Sequence, residues 1–539
     1  MRIHQLLARG GLALALGLAG CARRELPVTA ATREHTLLVG NGAEPADLDP
    51  PAAAAATDIN ILFALFEGLT GLDEATGRAE PGAAERWEHS PDGLTWTFHL
   101  RPSARWSNGD PLVADDFVRS FRRTVNPALA FQNAYYLFPL RHAEAINAGR
   151  ITDLTQLGCA APDPHTVVLT LERPTPHLPL LTALSPWFPI NPRVLQSFGA
   201  LTARGPAWTR PGNFVGNGAF ALREWRPNAR LVVERNPHYW GAPHTQLERI
   251  EFYPIEKPDD EERAYRAGQL HVTYTLPLPK LAAWRQRDSA QLRVDPLLYT
   301  GFIAFNTTRP PFDDPRIRRA LSLAVDRDAL VRGPLAGSRP AAYAVTPPGT
   351  GGYTARARVA ESGDQARALL VAAGHPRGAD LPPLELQVRN DEIQPIAAQA
   401  LQAMWQRELG LRVTIAQLEQ KTWLQNQSSG NYGLAFYSWT GDFPDPITFL
   451  GLFVSNNGNN WTGWRDPAYD RLIAEAASLS DAGRRTELLQ QAEARLLDQL
   501  PVTPLFHGAQ TYLLRPAVRN WQPALLLNRR YQLIELAAP

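Results

Sequence analysis

The chain has 539 residues, 44% hydrophobic and 20% charged, which are globular values, and it is too long for one ordinary core, so two to four domains are expected. A formal net charge of +1 gives no broad electrostatic footprint for nucleic acid. Basicity comes almost wholly from arginine, the lysines being Lys257, Lys280 and Lys421.

At the N-terminus Arg2 and Arg9 precede an apolar run, GGLALALGLAG, too short for an ordinary membrane-spanning helix. It ends in Leu18-Ala19-Gly20-Cys21, which resembles a bacterial lipoprotein signal with its lipobox. Residues 1–20 then form a signal peptide, and Cys21 carries the lipid that anchors the protein to a membrane. An ordinary secretory signal with an incidental cysteine is the alternative. Ala22, where an aspartate would retain the protein at the inner membrane, leans towards the outer one. With Cys21 lipidated, Cys159 has no intramolecular partner, and the fold is no disulfide scaffold.

In chain order, Thr36–Val39 reads as a strand and Ile59–Leu69 as a helix. Leu94, Trp96, Phe98 and Leu100 alternate with polar residues, the pattern of a half-buried strand. Asn108-Gly109-Asp110-Pro111 breaks the chain, and from Ala114 the period turns helical, with Phe117, Val118 and Phe121 as the apolar stripe. Thr166–Leu171 is a strand candidate, and the prolines between Pro174 and Pro192 mark an irregular connection. Ala219–Leu222 and Leu231–Val233 predict two strands joined near Pro227-Asn228. Gly268 closes one helix, and Asp314-Pro315 opens another. Residues 384–389, Pro395–Leu409, Leu411–Leu418 and Tyr432–Trp439 read as strand, helix, strand and strand, an α/β lobe. Helices follow Asp466-Pro467 and Ser480-Asp481, and Val502–Phe506 and Tyr531–Leu536 are late strands. There is no internal repeat.

Three stretches carry a family resemblance. The first is Trp96-x-Phe98, Leu100-Arg101, Trp106, Gly109-x-Pro111, Ala114-x-Asp116 and Ser120. The second is Asn217-Gly218, Trp225 and Asn236-Pro237-x-Tyr239-Trp240. The third runs from Val294-Asp295-Pro296 through PFDDPRIRRALSLAVDRDALV. Together they resemble the bacterial extracellular solute-binding proteins of family 5, the oligopeptide- and dipeptide-binding group. The resemblance implies an α/β, periplasmic binding protein-like fold: two large lobes, a two-crossing hinge and a smaller third domain. Carried onto this chain, lobe I takes residues 21–66, 191–298 and 507–539, the small domain 67–190, and lobe II 299–506.

The stretch with most chemistry is Ser438-Trp439-Thr440-Gly441-Asp442-Phe443-Pro444-Asp445-Pro446. A strand ending at Trp439 is followed by Gly441 and a proline-rich turn, so Asp442 can project from the rim and pair with a ligand ammonium; equally, it can cap the turn. The resemblance implies the first role, with Trp439 lining a pocket and Ser438 and Thr440 pairing through their backbone with an extended peptide. It also shows departures. Phe436 stands where an arginine would meet a short peptide's carboxylate, and Ala54, within the Ala52–Ala56 run, replaces an acidic residue near the ligand. Tyr299 and Thr440 occupy the places of a second-lobe disulfide.

No Gly-x-Ser-x-Gly elbow and no His-Glu-x-x-His helix is present, and the histidines lack ligand spacing, so neither an enzyme, nor a metal, nor a cofactor is expected. The implied function is capture of short peptides in the periplasm by a monomer that delivers them to permease and ATPase subunits of an ABC importer. A lipoprotein chaperone or sensory module, and binding of murein peptide, nickel or haem, are the alternatives.

Overall fold

The computed structural model describes residues 25–199, 207–376, 378 and 380–537; the expected signal peptide and Cys21 lie outside the described residues. In the first lobe, β1 (Thr36–Gly40), β2 (Phe220–Arg226), β3 (Arg230–Arg235) and β4 (Arg249–Tyr253) form a sheet in the order β1-β4-β3-β2. β1 runs parallel to β4; the other neighbours are antiparallel. Asn228, at φ 58°, turns the β2–β3 hairpin where the Pro-Asn pair predicts it.

The helix expected over 59–69 occupies Ala56–Leu65 instead. It stops early because Phe66 is extended and Gly218 N–H donates to the Leu65 carbonyl at 2.9 Å. The Asn217 amide then fixes the next residue, accepting from Glu67 N–H and donating to Glu67 O.

A second sheet pairs Ala84–His89, Thr95–Leu100, Thr166–Thr170 and Cys159–Asp163 in that spatial order. Trp96, Phe98 and Leu100 are buried, as alternation requires, and Phe117, Val118 and Phe121 of the Ala114–Val125 helix are buried in the same apolar cluster. Asp116 joins the two motifs: its Oδ2 accepts from the N-cap N–H of Val113 (3.1 Å) and from Trp106 Nε1 (3.0 Å). One turn from the helix end, Arg123 makes two bonds to buried Asp49 (2.9 and 2.6 Å), tying this unit to the first lobe.

The second lobe has the sheet order β7-β6-β8-β5-β9, built from β5 (Leu292–Phe305), β6 (Leu384–Arg389), β7 (Val413–Leu418), β8 (Leu434–Thr440) and β9 (Val502–Leu513). β6 is parallel to β7 and β8, and the Gln394–Leu409 helix makes the crossover from β6 to β7, closed by Gly410 at φ 68°. β9 extends beyond the Val502–Phe506 expected from sequence, and β5 was not expected; both run through both lobes. Leu292–Pro296 pairs with Ala509–Leu513, where Leu292 and Leu513 pack with Leu281 and Trp284; Thr300–Ala304 pairs with Val502–His507 inside the second lobe. The register shifts between Pro296 and Thr300, so the paired ribbon is interrupted between the lobes.

The late strand expected over Tyr531–Leu536 is reduced to Glu535–Leu536, paired with Val518–Arg519. Tyr531–Leu533 is a single 3-10 turn, because Tyr531 is buried in the first-lobe core with its hydroxyl on Asn60 Oδ1.

Candidate functional site

β8 delivers the chain to the space between the lobes. Its last residues pair with β5 in register, Ser438 with Gly301, Trp439 with Thr300 and Thr440 with Tyr299. Gly441 N–H then donates to Leu298 O at 2.7 Å. Only glycine fits that approach: an added Cβ would stand 2.6 Å from Leu298 Cδ2.

Asp442 is half-buried. Its own N–H donates to Thr448 Oγ1 (2.9 Å), and its Oδ1 accepts from Tyr136 (3.0 Å) and Tyr135 (3.4 Å) on the 3-10 turn Gln132–Leu137, more than three hundred residues away in sequence. Burial pushes the Asp442 carboxyl above its usual range, and the two hydroxyls only partly offset it. No cation pairs with it among the described residues.

The following residues fix the loop. Phe443 stacks on His177 at 4.7 Å and 5°, and Asp445 takes both Arg485 nitrogens at 2.8 Å. Burial alone would raise the Asp445 carboxyl, but the Arg485 bonds outweigh it and hold it low; burial drives His177 down to about 4. His177 is therefore a neutral stacking partner at physiological pH.

Two cavities lie along the space between the lobes, and the loop lines the first of them. One, of about 410 Å³, is lined by Thr440, Gly441 and Asp442 on the second-lobe side and by Ala53, Ala54, Ala56, Ile59, Phe63 and Tyr136 opposite. The other, of about 440 Å³, holds Arg339, Arg389, Asp391, Ser338 and Gln394. Both include Leu297, Tyr299 and Leu527, so they are two ends of one interlobe cleft. At the second end Arg389 pairs with Asp391 at 3.3 Å, whereas Arg339 has no ion pair among the described residues, and its Nε is buried without a hydrogen bond. Ser338 Oγ and Gln394 Nε2 are likewise buried and unbonded. With Arg389 Nε, that makes four buried polar atoms without a hydrogen bond in residues lining this end of the cleft, where the Arg339 and Arg389 guanidinium groups supply positive charge.

Of the residues singled out from sequence, Thr440 and Asp442 line the first cavity, and Ala54 does too. Ser438, Trp439 and Phe436 line neither cavity. Trp439 is half-buried against the second-lobe core with Nε1 unbonded. Phe436 is fully buried, 5.9 Å from the Phe506 ring, so no side chain at its position faces the cleft in this arrangement. Tyr299 and Thr440 are direct cross-strand partners, the relation a bridging disulfide would need. The aromatic pair Tyr239 and Trp240 is occupied within the fold: both donate to the Glu67 carboxylate, at 2.6 and 2.7 Å, and Arg101 lies 3.8 Å over the Trp240 ring. Sequence reasoning missed Tyr135, Tyr136, Arg339 and Arg389, none of which stands in a motif.

Among the described residues no group of three His, Cys, Asp or Glu side chains can hold a metal, and no helix is long and apolar enough to cross a membrane. The arrangement offers an acid at one end, cations at the other and a strand edge between, which is the equipment for holding a solute.

Residues 78–461 match the family described as bacterial extracellular solute-binding proteins, family 5 Middle. The periplasmic oligopeptide-binding protein OppA of Salmonella typhimurium is 32% identical over 531 residues, covering 96% of this chain and 95% of that protein. The probable deoxycholate-binding periplasmic protein YgiS of Escherichia coli is 35% identical and covers 89% of each. Among solved structures, the unliganded open form of MppA, a periplasmic murein tripeptide-binding protein, superposes with a TM-score of 0.83 at 32% identity, over 93% of this chain and 97% of that one. These matches span nearly the full length of proteins named for binding and not for catalysis, and the chain belongs to the bacterial extracellular solute-binding proteins of family 5.

Proposed function

We propose that the protein captures short peptides between its lobes in the periplasm and hands them to an ABC importer, without hydrolysing them. The observation that carries this reading is Asp442, a half-buried carboxylate with no cation of its own among the described residues, held on the cleft wall one residue beyond Gly441 and two beyond the strand edge at Thr440. An ammonium group is the partner such a carboxylate lacks, and main-chain pairing along Ser438 and Thr440 tolerates varied side chains. Arg339, with Arg389 beside it, supports a place for the ligand's carboxylate end, which Phe436 does not supply. The ribbon break at Pro296–Thr300 supports closure of the lobes over the ligand.

A bile acid is an alternative solute: its carboxylate can meet Arg339 with the steroid body in the apolar end, but it has no ammonium group and leaves the Asp442 carboxylate without a partner. Mass spectrometry of compounds retained by the gently purified, non-denatured protein tests the reading: peptides with free amino ends are expected, and retention of anionic steroids alone would overturn it.

Export follows from the leader, and a diacylglyceryl group on Cys21 anchors the mature chain. Palmitate labelling reads this directly, and a Cys21→Ser protein that stays equally membrane-bound refutes it. A gene neighbourhood with two permease subunits and ATPases is expected; capture of a protein partner together with no peptide binding would favour a chaperone or sensory module.

A further inference from the structure

We propose that the cavity beside Asp442 selects solutes whose ammonium-bearing end carries a large apolar group, which for a peptide means a leucine-, phenylalanine- or tryptophan-like first side chain. The inference rests on the peptide-capture reading and adds to it which peptides are taken.

The first side chain of a peptide is attached to the same carbon as the ammonium group. When that group sits on Asp442 and the main chain leaves along the strand edge at Thr440, the side chain is directed into the space that Asp442 lines. This space is about 410 Å³, and an apolar cavity of roughly 150 Å³ already accepts a benzene ring. Among the described residues Asp442 is the only Asp, Glu, Lys, Arg or His side chain in its lining. Ala53, Ala54 and Ala56 leave the volume open, while Ile59, Phe63 and Leu526 supply apolar surface. The polar members are uncharged, and Asn133 is already committed, donating to Ala53 O at 2.7 Å.

A lysine in first position would bring a second positive charge among these walls with no second carboxylate to meet it. A glutamate would face Asp442 as a like charge. A phenylalanine would remove its ring from water and leave nothing unpaired.

The test is calorimetric titration of the full mature chain with Phe-Ala-Ala, Lys-Ala-Ala, Glu-Ala-Ala and N-acetyl-Phe-Ala-Ala. The phenylalanine peptide is expected to bind about tenfold or more tighter than either charged one, the discrimination a hydrophobic pocket provides. Ala54 is exposed, so Ala54→Glu adds a carboxylate without crowding the core, and the lysine peptide is expected to gain about tenfold on the phenylalanine peptide in that variant. Equal affinity for the three free peptides, with the acetylated one rejected, would overturn this inference and leave peptide capture standing. A Phe-to-Lys ratio unchanged by Ala54→Glu would overturn it as well. Failure of every peptide to bind would overturn both.

Discussion

Replacing Asp442 by asparagine removes one negative charge and little else. The side-chain oxygen of asparagine can still accept from Tyr136, which donates at 3.0 Å, so the loop keeps its contact with the opposite wall. The loop is also held by Thr448 at 2.9 Å and by the Asp445–Arg485 pair. What is lost is the attraction for an ammonium group. Fully exposed ion pairs contribute only ~0–1 kcal/mol. Removing one partner of a buried, hydrogen-bonded pair costs roughly 2–5 kcal/mol. Asp442 is half-buried and its carboxyl is pushed up by desolvation, which places it in the lower part of the second range, about 2–3 kcal/mol, or roughly 30- to 150-fold in Kd. Calorimetry on a peptide and its N-acetylated form, each with wild type and Asp442→Asn, isolates this term as a double-mutant cycle. The acetylated peptide should bind both proteins equally weakly, and the free peptide should lose its advantage only in the variant. A free peptide that loses less than about threefold in Asp442→Asn, or an acetylated one that loses as much as the free one, would refute the anchor.

Other consequences concern charge and stability. Because the Asp442 carboxyl is raised, amine-dependent binding should weaken as pH falls through a midpoint above the usual carboxylate value; Tyr136→Phe removes a donor that favours the ionised form and should move that midpoint further up, read from Kd against pH. Amidating the ligand's C-terminus should weaken binding to wild type and have little effect in Arg339→Gln, with equal losses in both proteins counting against Arg339 as the carboxylate partner. Arg123→Leu leaves Asp49 buried without its two guanidinium bonds and should destabilise the fold by about 3–5 kcal/mol in urea denaturation; a loss below ~1 kcal/mol would show that Asp49 finds other compensation.

The sequence carried some parts of this site and concealed others for physical reasons. Asp442 stood out because it follows a strand end and Gly441 and precedes Pro444 and Pro446, but that pattern left it equally a turn cap, and only the family resemblance pointed to an anchor. The Ala114–Val125 helix was legible because its stripe has a helical period and Asp116 sits three residues past the N-cap. Tyr136 was not, since Gln132–Leu137 is a 3-10 turn with no periodic pattern, and its partner is met only after the lobes assemble. Arg339 and Arg389 come from a loop and from a strand end, and nothing local distinguishes them from arginines on solvated faces. The crossing strands hid for a related reason. Pro296 argues against strand pairing locally, yet it sits next to the register shift where the ribbon passes between lobes and pairing is interrupted anyway.

The stacking of Phe443 on His177 bears on how the anchor reaches its affinity. The ring pair, at 4.7 Å and nearly parallel, ties the Asp442 loop to the proline-rich connection across the cleft. Part of the ordering of the acid is then already done in the folded protein, and a ligand gains what it would otherwise lose in immobilising the loop. Phe443→Ala removes the stack without touching the carboxylate or its hydroxyl donors. Aromatic pairs add about 0.5–1.5 kcal/mol beyond burial, so affinity for free peptides should fall by about two- to tenfold. The free-to-acetylated ratio should stay near its wild-type value, because Asp442 still chooses the ammonium group. If that ratio collapses along with the affinity, the stack positions the charge itself, and the loop is less firmly held by Thr448 and Arg485 than their bonds imply.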